Sequence, residues 1–323
     1  MKRLIPLLLA LALLLTACGG GQPASPAPTE GGALRVLCTT YPVYLFTTAV
    51  TEGVDGVQVD LLVQEQISCL HDYTLTVNDM KAIEAADVIV MNGVGLEDFM
   101  ADALSTSDAP VIDCSEGVAL LPAMGHEGHD HDTEYDPHIW MDPERADQMI
   151  RNIGGGLAAA DPDRAEQYQD NAIAFSGEVY NLKLSMRFII ASDQPDLQLP
   201  HRELITFHDG FQYFADAFGL DLLKAIEEEE GSEASAAEIK EIVGLVQDYD
   251  IPAIFTEKNG SDATAQTIAR ETGCEVFQLD MIMSGDGTDL SAYEEAISKN
   301  VETIVNALGE GKVSMGTGRL PQE

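Results

Sequence analysis

Polar and apolar positions along the chain switch repeatedly between a two-residue and a helical period. Residues 34–39 (LRVLCT) and 57–63 (VQVDLLV) look like strands, and 44–52 between them suits a helix. Residues 80–86 read as a short helix leading into 87–92 (DVIVMN), a continuous apolar run expected of a parallel strand buried on both faces. Gly93 and Gly95 break the chain, 97–104 is helical and 110–113 is a strand. This βαβα alternation predicts a doubly wound α/β unit. A polar, His-rich loop at 124–136 (MGHEGHDHDTEYD) follows, with no period of its own.

Helical spacing resumes over 142–160 around Met149, Ile153 and Leu157, although Gly154, Gly155 and Gly156 weaken it. Asp161-Pro162-Asp163 then opens a second helix, 163–190, which at 1.5 Å per residue is about 40 Å long. A new alternation starts at 204–207 (LITF). It continues with a helix at 210–218 and one at 235–249 opened by the capping box Ser235-x-x-Glu238. A strand at 252–257, a helix at 261–272 closed by Gly273 and a strand at 275–279 complete it. The expected architecture is two α/β lobes with mainly parallel sheets, joined by a long rigid backbone helix.

The first residues stand apart. Met1-Lys2-Arg3, the apolar run 4–15 and the ending Leu15-Thr16-Ala17-Cys18 read as a secretory signal over 1–17. The ending resembles a bacterial lipobox, in which Cys18 becomes the lipid-modified first mature residue. Residues 18–32 are a Gly/Pro/Ser/Ala tether. The body then divides into an N-terminal lobe (33–141), a helical region (142–190) and a C-terminal lobe (191–323). This places the protein outside the cytoplasm, anchored to the cell membrane by lipid.

Charge narrows the partners. Across 323 residues, 55 Asp and Glu face 17 Lys and Arg, a formal net charge of −38. Such a surface repels nucleic acid and enriches cations, so no nucleic-acid partner is expected.

Three histidines lie where strand-like segments give way to loops or helices: His71, His138 and His208; Asp280 occupies the equivalent place after 275–279. Ligands of open α/β sheets gather outside the carboxyl ends of strands. Three imidazoles and a carboxylate would satisfy tetrahedral zinc. Spacing alone leaves convergence open, because scattered histidines are as readily surface or core residues.

The motifs around these residues resemble the metal-binding subunits of bacterial ABC importers for zinc and manganese, also called cluster A-I binding proteins. The likeness rests on Thr39-Thr40-Tyr41-Pro42, His71-Asp72-Tyr73 with Asn78-Asp79, and Ala86-Asp87-Val88-Ile89 with Asn92-Gly93-x-Gly95-Leu96-Glu97. It extends through Asp136-Pro137-His138-Ile139-Trp140-Met141-Asp142-Pro143, Thr206-Phe207-His208-Asp209-Gly210-Phe211, Gly231-Ser232-Glu233-Ala234-Ser235 and Leu279-Asp280. The resemblance implies that His71, His138, His208 and Asp280 are the four metal ligands. It implies a monomeric, non-catalytic protein that passes its ion to an ABC permease and, through it, to that permease's ATPase. Relatives that prefer manganese tend to carry a carboxylate at the position of His208, so this donor set favours Zn²⁺, with Mn²⁺ as the alternative. A zinc hydrolase and an adhesin are the more distant alternatives.

His126, His129 and His131 resemble a short metal-scavenging loop that would bind zinc weakly. They do not form an HExxH helix, since the position four after His126 is Asp130. Cys38 and Cys69 are the expected disulfide, from neighbouring units of the first lobe. Cys69 could instead be a soft extra ligand, where the family often has Asp-Pro before its first ligand. The acidic run at 227–230 reads as a solvated edge. Trp140 reads as a core anchor, and Glu257 as a carboxylate holding an imidazole tautomer through its outer nitrogen.

Overall fold

The computed structural model describes residues 32–63, 73–124, 134–191, 199–226, 234–258 and 260–309. Among the described residues, eight strands form two four-stranded sheets, all of whose pairings are parallel. The first sheet holds β1 (Leu34–Cys38), β2 (Val57–Leu61), β3 (Val88–Met91) and β4 (Val111–Asp113), in the order β2-β1-β3-β4. The second holds β5 (Glu203–Thr206), β6 (Asp221–Ala225), β7 (Ala253–Glu257) and β8 (Glu275–Leu279), in the order β6-β5-β7-β8. The two lobes thus share one topology.

Helices α1 (Tyr41–Val50), α2 (Val77–Ala85) and α3 (Ala101–Ser105) belong to the first lobe. Helices α6 (Gln212–Phe218), α7 (Ala236–Asp248), α8 (Ala263–Thr272) and α9 (Leu290–Leu308) belong to the second. Between the lobes run α4 (Pro143–Ala160) and α5 (Ala165–Ile190). With 26 residues, α5 is about 39 Å long.

Two of the three glycines that weakened α4 on propensity, Gly154 and Gly156, turn out to be packing positions. A Cβ on Gly154 would lie 2.5 Å from the Ala172 Cβ on α5, and one on Gly156 would lie 2.6 Å from Ile112 on β4. Removing the side chain lets α4 lie close to both neighbours, and packing overrides the helical cost of glycine.

One apolar core runs through the first lobe, α4, α5, α6 and α9, and a smaller one lies around Ile205, Ile242, Ile254 and Ile268 in the second lobe. Polar bonds stitch the lobes across the junction. Trp140, fully buried as a core anchor, donates its Nε1 proton to the Met281 carbonyl at 2.9 Å. The Tyr293 hydroxyl donates to the Trp140 carbonyl at 2.7 Å. The Tyr41 hydroxyl donates to the Gly287 carbonyl at 3.0 Å. Each satisfies a polar group that burial would otherwise penalise.

Cys38 is a free, buried thiol, and burial pushes its pKa up to about 12. Its expected partner Cys69 lies outside the described residues, as do Cys18, His71, His126, His129, His131 and the acidic run at 227–230. Among the described residues no helix is long and apolar enough to cross a membrane.

Candidate metal centre

His138 is positioned by its own local sequence and by the first sheet. Asp136 Oδ1 accepts both the His138 backbone N–H, at 2.9 Å, and a hydrogen bond from its Nδ1, at 2.8 Å. With Nδ1 protonated toward Asp136, Nε2 carries the free lone pair. From the other side, the Asn92 side-chain amide donates to the Pro137 carbonyl at 2.9 Å. Asn92 is fixed in turn by Glu97, which accepts the backbone N–H groups of Asn92 and Gly93 and the Thr39 hydroxyl. The turn between them needs left-handed backbone at Gly93 (φ 88) and Gly95 (φ 80), which explains the two glycines. Burial lifts the Glu97 carboxyl to about 7.

His208 follows β5, and Glu257 ends the neighbouring strand β7. Strand order reverses between these two strands, which is where doubly wound sheets open a binding crevice. Glu257 Oε1 stands 3.2 Å from His208 Nδ1. The outer nitrogen of each imidazole therefore faces a carboxylate, but only Asp136 makes a hydrogen bond to its ring; Glu257 Oε1 has no hydrogen-bond partner among the described residues, so the expected tautomer-holding bond is an approach and not a bond. His208 Nε2 is buried, has no hydrogen-bond partner among the described residues, and lies 3.3 Å from Asp209 Oδ1.

The rings of His138 and His208 meet at a centroid distance of 5.3 Å with planes 85° apart. His138, His208 and Asp209 place ligand atoms within 4.8 Å of one another, the one such group found among the described residues. Burial acts to lower the His138 pKa, but the negative charges of Asp136, Asp209 and Glu257 outweigh it and raise the value. The Glu257 carboxyl is raised, chiefly by burial, against the opposing pull of His208 and His138.

Asp209 was not anticipated from the sequence, and its only signal there was its place beside His208. Asp280 stands next to this group without belonging to it. Its charge acts on Glu257 and Tyr41, while its Oδ2 lies 3.2 Å from Lys258 Nζ and its Oδ1 accepts the Ile282 amide at 2.7 Å.

Two parallel-sheet lobes bridged by a long helix, with imidazoles and carboxylates gathered at their junction, define a metal-binding solute-receptor architecture. The chain belongs to the ZnuA family, zinc-uptake complex component A, periplasmic, whose profile matches residues 36–307. Members of this family are non-catalytic solute-binding proteins. The chain is 30% identical over 320 residues to the zinc-binding lipoprotein AdcA of Streptococcus pneumoniae, an alignment covering 94% of this chain. It spans 60% of the length of that relative. It is 25% identical to the manganese-binding lipoprotein MntA of Halalkalibacterium halodurans, covering 96% of this chain and all of that protein. A crystal structure of ZnuA superposes with a TM-score of 0.72 at 27% identity, covering 86% of this chain and 100% of the other.

Proposed function

We propose that this protein is the extracytoplasmic receptor of an ABC importer, capturing Zn²⁺ between its lobes and delivering it to a membrane permease. The observation that carries the reading is the pair His138 and His208. They come from opposite lobes, each has its outer nitrogen turned to a carboxylate, and their rings face each other at 5.3 Å. Two oriented imidazoles suit zinc, and the resemblance adds His71 and Asp280 as the remaining ligands. Four protein ligands close a tetrahedral site and leave no position for an activated water, which fits capture and not turnover.

Lipid attachment at Cys18 would hold the receptor beside its permease, and the relatives named as lipoproteins support that reading. The long α5 favours small adjustments over wide hinge closure. Release then follows from docking on the permease or from local opening of a ligand segment. His126, His129 and His131 would raise the local zinc concentration on a strongly acidic surface.

Manganese is the second reading, favoured by the Asp209 carboxylate within the histidine group and by the manganese-binding relative. Metal analysis of protein purified without chelators, alongside His208→Glu, separates the two. Zinc is expected in the wild type, with manganese retention rising in His208→Glu. Manganese in the wild type would overturn the zinc assignment.

A further inference from the structure

The last residue of β7 and the one after it serve the two site residues of the second lobe separately. Glu257 faces His208, and Lys258 faces Asp280. Asp280 is held rigidly by its backbone. Its N–H donates to Asn300 Oδ1 at 2.8 Å, and its carbonyl accepts from Asn300 Nδ2 at 2.7 Å, both from buried Asn300 on α9. Its Oδ1 is occupied by the Ile282 amide. The remaining oxygen, Oδ2, is the one offered to a cation, and Lys258 Nζ sits 3.2 Å from it. The Lys258 side chain is 64% exposed, so its flexible stem can swing into solvent without unpacking anything.

We propose that Lys258 is a tethered cation that holds Asp280 in the metal-free receptor and is displaced when the metal binds, lowering affinity and speeding release. This rests on the reading of Asp280 as a ligand. Without Lys258, Asp280 would be a bare anion near buried Glu257, in a chain of net charge −38. A lysine ammonium is a compact, strongly hydrated point charge on a mobile stem, suited to a reversible placeholder. A divalent ion held by imidazoles as well as the carboxylate outcompetes it. The lysine is largely exposed and the carboxylate partly so, and solvent screening keeps the effect modest, about 2- to 5-fold in affinity. A receptor must give up its ion to the permease, and a competitor already attached to the site assists that step.

The test uses the full chain in zinc competition titrations and chelator-trapped release kinetics, for wild type, Lys258→Met, Lys258→Arg, Asp280→Asn and the Lys258→Met/Asp280→Asn pair. Lys258→Met is expected to bind zinc about 2- to 5-fold tighter and to release it correspondingly more slowly, while Lys258→Arg stays near wild type. Asp280→Asn is expected to weaken binding and to abolish the effect of Lys258→Met. In the metal-free protein, Asp280→Asn is expected to shift the Lys258 side-chain ammonium resonance. An unchanged affinity in Lys258→Met, or the same gain with Asp280→Asn present, would overturn the proposal. Asp280→Asn binding like wild type while His138→Ala fails to bind would also overturn it, leaving the receptor reading intact. Wild-type affinity in both His138→Ala and His208→Ala would instead defeat the receptor reading.

Discussion

His138 and His208 come from different lobes, yet their rings lie 5.3 Å apart and close to perpendicular. The contact is built from both sides: Asp136 fixes one ring through Nδ1, and Glu257 faces the Nδ1 of the other. The Asp136 bond sets the nitrogen of His138 that points inward, and the surrounding carboxylates raise that ring's basicity. An ion joining the two inner nitrogens would tie the lobes together and stabilise the fold by linkage.

Asp136→Asn and Glu257→Gln keep size and shape while removing the charge behind each ring. Each is expected to weaken zinc binding by about 10- to 100-fold with the fold retained, read by chelator competition together with circular dichroism. Unchanged affinity in both would show that the outer carboxylates do not orient the ligands.

Acidity should compete with the metal. In the metal-free protein the His138 pKa lies above its ordinary value of about 6.5, because the surrounding carboxylates outweigh burial. The protonated ring therefore contributes stability that is fully present below about pH 6.5 and is lost as pH rises through the raised value. Zinc needs the neutral ring, so affinity should begin to fall above pH 6.5 as the buffer is acidified, and steeply below about pH 6. Asp136→Asn should move that onset to lower pH. Titrations between pH 8 and 5.5 check both, and a flat profile contradicts histidine ligation.

Gly210 touches both halves of the site. A Cβ there would lie 2.3 Å from the Met281 Cε and 3.1 Å from the His138 Cδ2. The methionine end is flexible and can move, but the imidazole is pinned by Asp136 and Trp140. Gly210→Ala is expected to lower zinc affinity by about 10-fold, as the ring is pushed off its ligand geometry, while costing under about 1.5 kcal/mol of stability. Affinity and unfolding measured on the same preparation separate the two effects.

Much of the fold was legible because apolar periods announce it. Residues 275–279 were expected as a strand and form β8 with the same limits. The capping box at Ser235 and Glu238 opens α7 as expected. Helix α1 begins earlier than its apolar pattern suggested, because Pro42 is well placed in a first helical turn. The expected helix at 97–104 is split into a 3-10 turn and α3, since Glu97 is drawn into the Asn92–Gly93 turn. Strand β6 was missed: its Asp221 and Lys224 interrupt the apolar pattern at a sheet edge, where one flank has no neighbour. Helix α9 was missed too, although Leu290, Tyr293, Ile297, Val301 and Ile304 follow helical spacing and pack inward.

At the site, His208 and Glu257 lie at or just beyond strand ends, where doubly wound sheets open a crevice, whereas His138, 25 residues beyond β4, was legible through the resemblance of its motif. Asp209 and Lys258 were not. Both are ordinary charged residues whose significance comes only from the side chains the fold sets beside them.

The most direct measurement is the anomalous diffraction of a zinc-loaded crystal. One dominant zinc peak is expected at the lobe junction, bonded to Nε2 of both His138 and His208 at about 2.0–2.1 Å. A dominant peak elsewhere, with these two rings unligated, would contradict the account.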